Sequence, residues 1–197
     1  MLESLTADSI IEEILPVLDG VVKPEKPVLY FGRAIRGGRE NIENSRKIAS
    51  EADKHFYIIS KHVLLDKRYD KDDVSDFERK WKEKYPRIDV RQRDMKMLGV
   101  ADCFAADAAI ESTGIGFETC VASCERKIPS VLFQHENRKN ESTMIIHTGR
   151  IITPTLKDYL DLHNIKVPIF YYSDQNVEEV ARKCFERFSS CFLTKYF

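Results

Sequence analysis

The sequence predicts a doubly wound α/β fold of about five parallel strands with helices on both faces, and three observations carry that prediction. From Val28 onward, short apolar runs alternate with amphipathic stretches of helical length, the signature of βαβ units. No internal repeat and no low-complexity tract interrupts that alternation. Hydrophobic residues make up 43% of the 197 residues and charged residues 32%, enough apolar surface for one core but not for a chain that stays unfolded.

The elements follow in order. Ser9 and Glu12 have capping-box spacing, and Ile10, Ile14 and Leu18 with Ile11 and Leu15 form an apolar stripe that Pro16 and Gly20 are expected to shorten. This short helix is expected to pack on the domain or on a second subunit. With Pro24 it makes residues 1–26 an extension and linker, and residues 27–197 form the α/β domain. Strands are predicted at Val28 to Phe31, Phe56 to Ser60, Ala101 to Ala109, Ser130 to Gln134 and Val167 to Tyr172. Helices are predicted at Arg39 to Lys54, Asp72 to Lys84, Asp89 to Leu98, Gly116 to Lys127, Thr155 to His163 and Asn176 to Phe192. Residues 64–87 break the rhythm as a charged insertion. Phe77, Trp81 and Tyr85 are interleaved with lysines and arginines there, but six acidic residues from Asp70 to Glu83 cancel most of the charge, so a solvated helix is expected.

Lysine plus arginine number 31 against 32 acidic residues, which leaves no global field for a nucleic-acid polymer or an anionic membrane. No run approaches the roughly 20 apolar residues of a membrane span. The five cysteines form no CxxC pair, so neither a zinc site nor any other metal centre is expected. Their odd number, and the absence of a charged-then-apolar leader at Met1, predict a reducing intracellular compartment.

In open parallel sheets the ligand lies beyond the carboxyl ends of the strands, so the loops after the first and third strands matter most. The first is Gly32-Arg33-Ala34-Ile35-Arg36-Gly37-Gly38. Its glycines let backbone amides approach an anion, and Arg36 adds a fork of donors. The second is Glu111-Ser112-Thr113-Gly114-Ile115-Gly116-Phe117-Glu118, which is expected to place Glu118 in the first turn of a helix, pointing into the crevice. Asp94 stands on the helix leading into the third strand, among Arg91, Arg93 and Lys96, where a surface ion pair is the ordinary role. Together with Tyr30 at the end of the first strand, the two carboxyls suggest glycoside chemistry. One carboxylate attacks the anomeric carbon and another group protonates the leaving group, which requires environments that push their pKa values apart.

The segments Tyr30-Phe31-Gly32-Arg33-Ala34-Ile35-Arg36-Gly37-Gly38-Arg39-Glu40, Asp94 with Leu98-Gly99-Val100-Ala101-Asp102, and Ser112 to Glu118 resemble the 2′-deoxynucleoside 5′-phosphate N-hydrolases. These are relatives of the nucleoside 2-deoxyribosyltransferases. Lys61-His62-Val63, Ser142-Thr143-Met144-Ile145 and the aromatic terminal helix extend the match over Val28 to Phe192, apart from the insertion. The resemblance implies that Glu118 is the nucleophile, that Asp94 assists departure of the base and that Tyr30 holds Glu118. The amides of Gly32 to Gly38, with Arg36, Ser112 and Gly114, would bind the 5′-phosphate. Arg33, Ala34, His62 and Gly116 complete the substrate-binding set. Ile35 would crowd the 2′ position, and Ser142 would reach the site of the neighbouring subunit in a homodimer. No cofactor is implied, and the cytoplasm, with the nucleus as a second compartment, is the expected location.

Ala34 stands where the family commonly has a phosphate-binding serine, and Phe117 where a tyrosine is usual. The lost hydrogen bond would cost about 1.5 to 3 kcal/mol of phosphate binding. The preferred reading is hydrolysis of 2′-deoxynucleoside 5′-monophosphates. A deoxyribosyltransferase, a ribonucleotide N-glycosidase and a non-catalytic nucleotide sensor stand as alternatives. The base preference is not legible.

Overall fold

The computed structural model describes residues 6–34, 41–65, 73–110, 112–138 and 167–196, with 73–75 and 191–196 as backbone only. A helix α1 (Ala7–Leu18) precedes β1 (Val28–Arg33), α2 (Ile42–Asp53), β2 (Tyr57–Ile58) and a 3-10 turn at Lys61–Leu64. Then come α3 (Asp73–Lys84), α4 (Val90–Val100), β3 (Cys103–Asp107) and α5 (Thr113–Cys120), which runs into a π-helical turn at Val121–Glu125. β4 (Ser130–His135), β5 (Ile169–Tyr172) and α6 (Val177–Tyr196) complete the chain. The strands form one parallel sheet in the order β2-β1-β3-β4-β5. All five predicted strands are present. The predicted helix from Thr155 to His163 lies outside the described residues.

The period-two geometry of a strand divides each sequence between two cores. Val28, Tyr30, Phe104, Ala106 and Leu132 face one side, with α1, α3, α4 and α5. Leu29, Phe31, Cys103, Ala105, Val131 and Phe133 face the other, with α2 and α6. This is the doubly wound arrangement. Winding reverses between β1 and β3, whose register pairs Gly32 with Ala106 and Arg33 with Asp107, so the crevice opens above those residues.

Three local expectations are revised. The cap of α1 is Thr6 rather than Ser9: the Thr6 side chain accepts from the Ser9 amide, and Ser9 Oγ accepts from the Thr6 amide. Pro16 lies within α1, which continues to Leu18 before Gly20 turns the chain with φ 71°. The insertion is not a solvated helix. Phe77 and Trp81 are fully or nearly fully buried, and α3 packs against α1 through them. The four-residue spacing sets Phe77 and Trp81 on one face of α3, and Tyr85 just past its end continues the row, with ring centres 6.1 Å apart from Phe77 to Trp81 and 4.9 Å from Trp81 to Tyr85. Polar ties hold α1 in place: Asp8 pairs with Lys80, Glu13 with Lys61 at 2.6 Å, and Asp19 with Lys96 at 3.0 Å.

Candidate active site

Tyr30 and Gly32 lie two residues apart on β1 and therefore face the same side of the sheet. Tyr30 Oη donates to Glu118 Oε1 at 3.0 Å. Gly32 leaves room for the other oxygen: a Cβ at this position would lie 2.9 Å from Glu118 Oε2, so the carboxyl would have to shift. One strand thus supplies both the donor to one carboxyl oxygen and the room for the other.

Glu118 is not in a first turn. Ser112 caps α5 by accepting from the Ile115 amide at 3.4 Å, so the helix starts at Thr113 and Glu118 falls in its second turn. The field of a helix N-terminus fades within one turn, so the dipole does little for this carboxylate. Burial dominates, and with the charge of Asp94 it pushes Glu118 from 4.5 up to about 8, against the opposing effects of the Tyr30 hydrogen bond and Arg93. The Tyr30 phenol is itself held far above its ordinary value by burial and by Glu118. It stays a donor at any physiological pH.

Asp94 differs from the exposed ion-pair residue its neighbours suggested. Its side chain is only 17% exposed, and Arg93 is 1% exposed. Arg93 meets one oxygen of Asp94 with two nitrogens: Nε donates to Oδ1 at 2.9 Å, and Nη2 lies 2.8 Å from the same oxygen as an ion pair. Burial raises the Asp94 pKa and Arg93 opposes the rise. His62, in the turn after β2, brings Nε2 to 3.7 Å from Asp94 Oδ1. Burial and the Arg93 charge keep that imidazole neutral, so the pair is not a salt bridge. Both carboxyls therefore hold protons more tightly than exposed ones, and the charge of Asp94 adds to the rise at Glu118.

The structure brings Tyr30, Gly32, Asp94, His62 and Glu118 to one end of the sheet, with Ser112 and Gly114 at the start of α5 and Gly116 in its first turn. Arg33 turns inward, donating from Nε and Nη2 to the Ala34 carbonyl, and lies beside Asp107 with a cavity of about 10 Å³ between them. Ile35, Arg36, Gly37, Gly38 and Ser142 lie outside the described residues. Arg93 was misread in sequence because a cation next to an aspartate on a charged helix carries no mark of burial. Phe77, which stacks on His62 with ring centres 4.7 Å apart, was missed because the insertion was read by its charge rather than by its aromatic spacing.

No family model matches the chain. Curated relatives do. A protein of Thermofilum pendens, named among the 2′-deoxynucleoside 5′-phosphate N-hydrolases, is 30% identical over 118 residues, covering 59% of this chain and 75% of its own. Another so named, from Methanosarcina mazei, is 31% identical over 136 residues, 68% of this chain and 74% of its own. The 5-hydroxymethyl-dUMP N-hydrolase of Homo sapiens is 24% identical over 167 residues, 83% of this chain and 82% of its own.

Proposed function

Since the chain belongs to the 2′-deoxynucleoside 5′-phosphate N-hydrolase family, we propose that it cleaves the N-glycosidic bond of 2′-deoxynucleoside 5′-monophosphates to free base and 2-deoxyribose 5-phosphate. The observation that supports this reading best is the Tyr30–Glu118 hydrogen bond over Gly32, with buried Asp94 electrostatically coupled to the same carboxyl.

The reaction is a double displacement. Ionised Glu118 attacks C1′ with one carboxylate oxygen as the C1′–N bond breaks. The bonding pair leaves with the base, which takes a proton from Asp94, and a deoxyribosyl ester on Glu118 remains. Asp94 then accepts a proton from water, the water oxygen bonds to C1′, and the ester C–O bond breaks to restore the Glu118 carboxylate. The active state has Glu118 ionised and Asp94 protonated. Tyr30 keeps one Glu118 oxygen in place and shares part of its charge. The 5′-phosphate is taken by the loop Gly32 to Gly38 with Arg36, Ser112 and Gly114, Ile35 crowds the 2′ position, and Ser142 arrives from a second subunit.

Release of free base from the four deoxynucleoside 5′-monophosphates, measured beside deoxynucleosides, ribonucleotides and a Glu118→Ala variant, tests the reading. Release confined to deoxynucleotides and lost in the variant supports it. Equal activity without the phosphate moves the assignment to a transferase, and no release from any of them defeats it.

A further inference from the structure

The inserted helix α3 reaches the site through Phe77. Phe77 is fully buried, lies flat on His62 at 4.7 Å with 10° between the rings, and has the Arg93 guanidinium 5.3 Å from its centroid. His62 and Arg93 both approach Asp94 Oδ1. The Arg93 Nε hydrogen bond and the Nη2 contact both fall on Oδ1, so the second oxygen, Oδ2, is the one left to carry a proton toward a leaving group.

We propose that Phe77 is a positioning residue for this reaction: it fixes the Arg93–Asp94 pair and the neutral His62 so that Asp94 can hand its proton to the departing base. The inference rests on the N-hydrolase reading above. A buried guanidinium needs a surface that replaces water without competing for the carboxylate, and an aromatic face does this where an aliphatic side chain does not. The stacked imidazole is held by the same ring. Phe77 is in turn in contact with Trp81 and shares its buried cluster with Ile10 and Ile14 of α1, so the extension and the insertion are linked to the chemistry through Phe77. The charged groups around Asp94 are Arg93 and Asp89 on α4, Glu78 on α3 and Glu118 on α5, with His62 and Tyr30 as its neutral titratable neighbours.

The test compares two substrates and two variants in the full chain. A deoxynucleoside 5′-monophosphate needs its base protonated. 2-Deoxyribose 5-phosphate bearing 4-nitrophenolate at C1 does not, since that group departs as a stable anion. Phe77→Leu is expected to lower kcat on the nucleotide by about tenfold, with KM unchanged and the nitrophenyl substrate within about twofold of wild type. Trp81→Leu, one turn along the same helix, controls for loss of stability and is expected to lower Tm without changing the ratio of the two rates. Equal loss on both substrates, no loss on either, or the same selective loss in Trp81→Leu overturns the inference while leaving the N-hydrolase reading intact. A wild type that turns over neither substrate overturns both.

Discussion

Two acidic side chains stand at the carboxyl edge of one sheet, Glu118 on the face covered by α1, α3 and α4, and Asp107 on the face covered by α2 and α6. Asp107 is saturated. It accepts from Ser45 Oγ at 2.5 Å, Asn41 Nδ2 at 2.7 Å, Tyr172 Oη at 2.9 Å and the Ala109 amide at 3.1 Å. Glu118 accepts only from Tyr30 among the described residues, and Gly32 leaves space at its other oxygen. Burial raises both pKa values, but the donors around Asp107 counter it in fixed directions, tying the ends of β3 and β5 to α2. A carboxyl with its lone pairs occupied is a structural joint, whereas one left under-satisfied at the same depth is available for chemistry, at a cost to stability.

The contrast is broken most severely at Glu118. Glu118→Gln is expected to reduce base release by at least about 10³-fold, because no nucleophile remains. The same change is expected to stabilise the fold. A carboxyl pushed from 4.5 up to about 8 destabilises the native state once the unfolded chain ionises; the deficit grows from about 4.5 to about 8 and is constant above. The Tm of Glu118→Gln should match that of wild type at pH 4 and exceed it at pH 8.5, and thermal melts across this range would show it. In the wild type, the active form, with Glu118 ionised and Asp94 protonated, is one of the two singly protonated forms of the pair, so kcat/KM should fall as pH rises above about 8, where the pair loses its last proton.

Gly32→Ala is the next in size. A methyl group at 2.9 Å must displace Glu118 Oε2, so kcat is expected to fall about 10²-fold in steady-state assays while the circular dichroism spectrum stays native. Tyr30→Phe removes one hydrogen bond worth about 1.5 to 3 kcal/mol to a charged acceptor, and a loss of roughly 10- to 150-fold in kcat/KM is expected, with the alkaline limb moved to higher pH. The smallest effect on catalysis should come from the other carboxyl. Asp107→Ala leaves four donors without their acceptor, so denaturant unfolding should show a stability loss of about 3 kcal/mol or more. Turnover per folded molecule should stay within about threefold of wild type. A larger loss would place Asp107 in the site and erase the contrast.

Glu118, the proposed nucleophile, and the glycine-rich loop after β1 were legible in sequence, because glycines after an apolar strand and a carboxylate after another are local features. The surroundings of Asp94 were not. Arg91, Arg93 and Lys96 look alike in a helix, yet Arg93 is buried on Phe77 while Arg91 stacks over exposed Phe117 at 4.4 Å. Asp107 passed unnoticed inside a strand, since its partners Ser45 and Tyr172 lie 62 and 65 residues away along the chain.

What the sequence determined by itself was the alternation of strands and helices, the winding into a parallel sheet and the presence of a Tyr–Glu–Asp set at its carboxyl edge, all of which follow from periodicity and short-range spacing. Only the tertiary structure decided which charges lose water. Desolvation depends on what packs from elsewhere in the chain, and here α1 and the inserted α3 cover Arg93, His62 and Asp94 on one face while α2 and β5 close over Asp107 on the other.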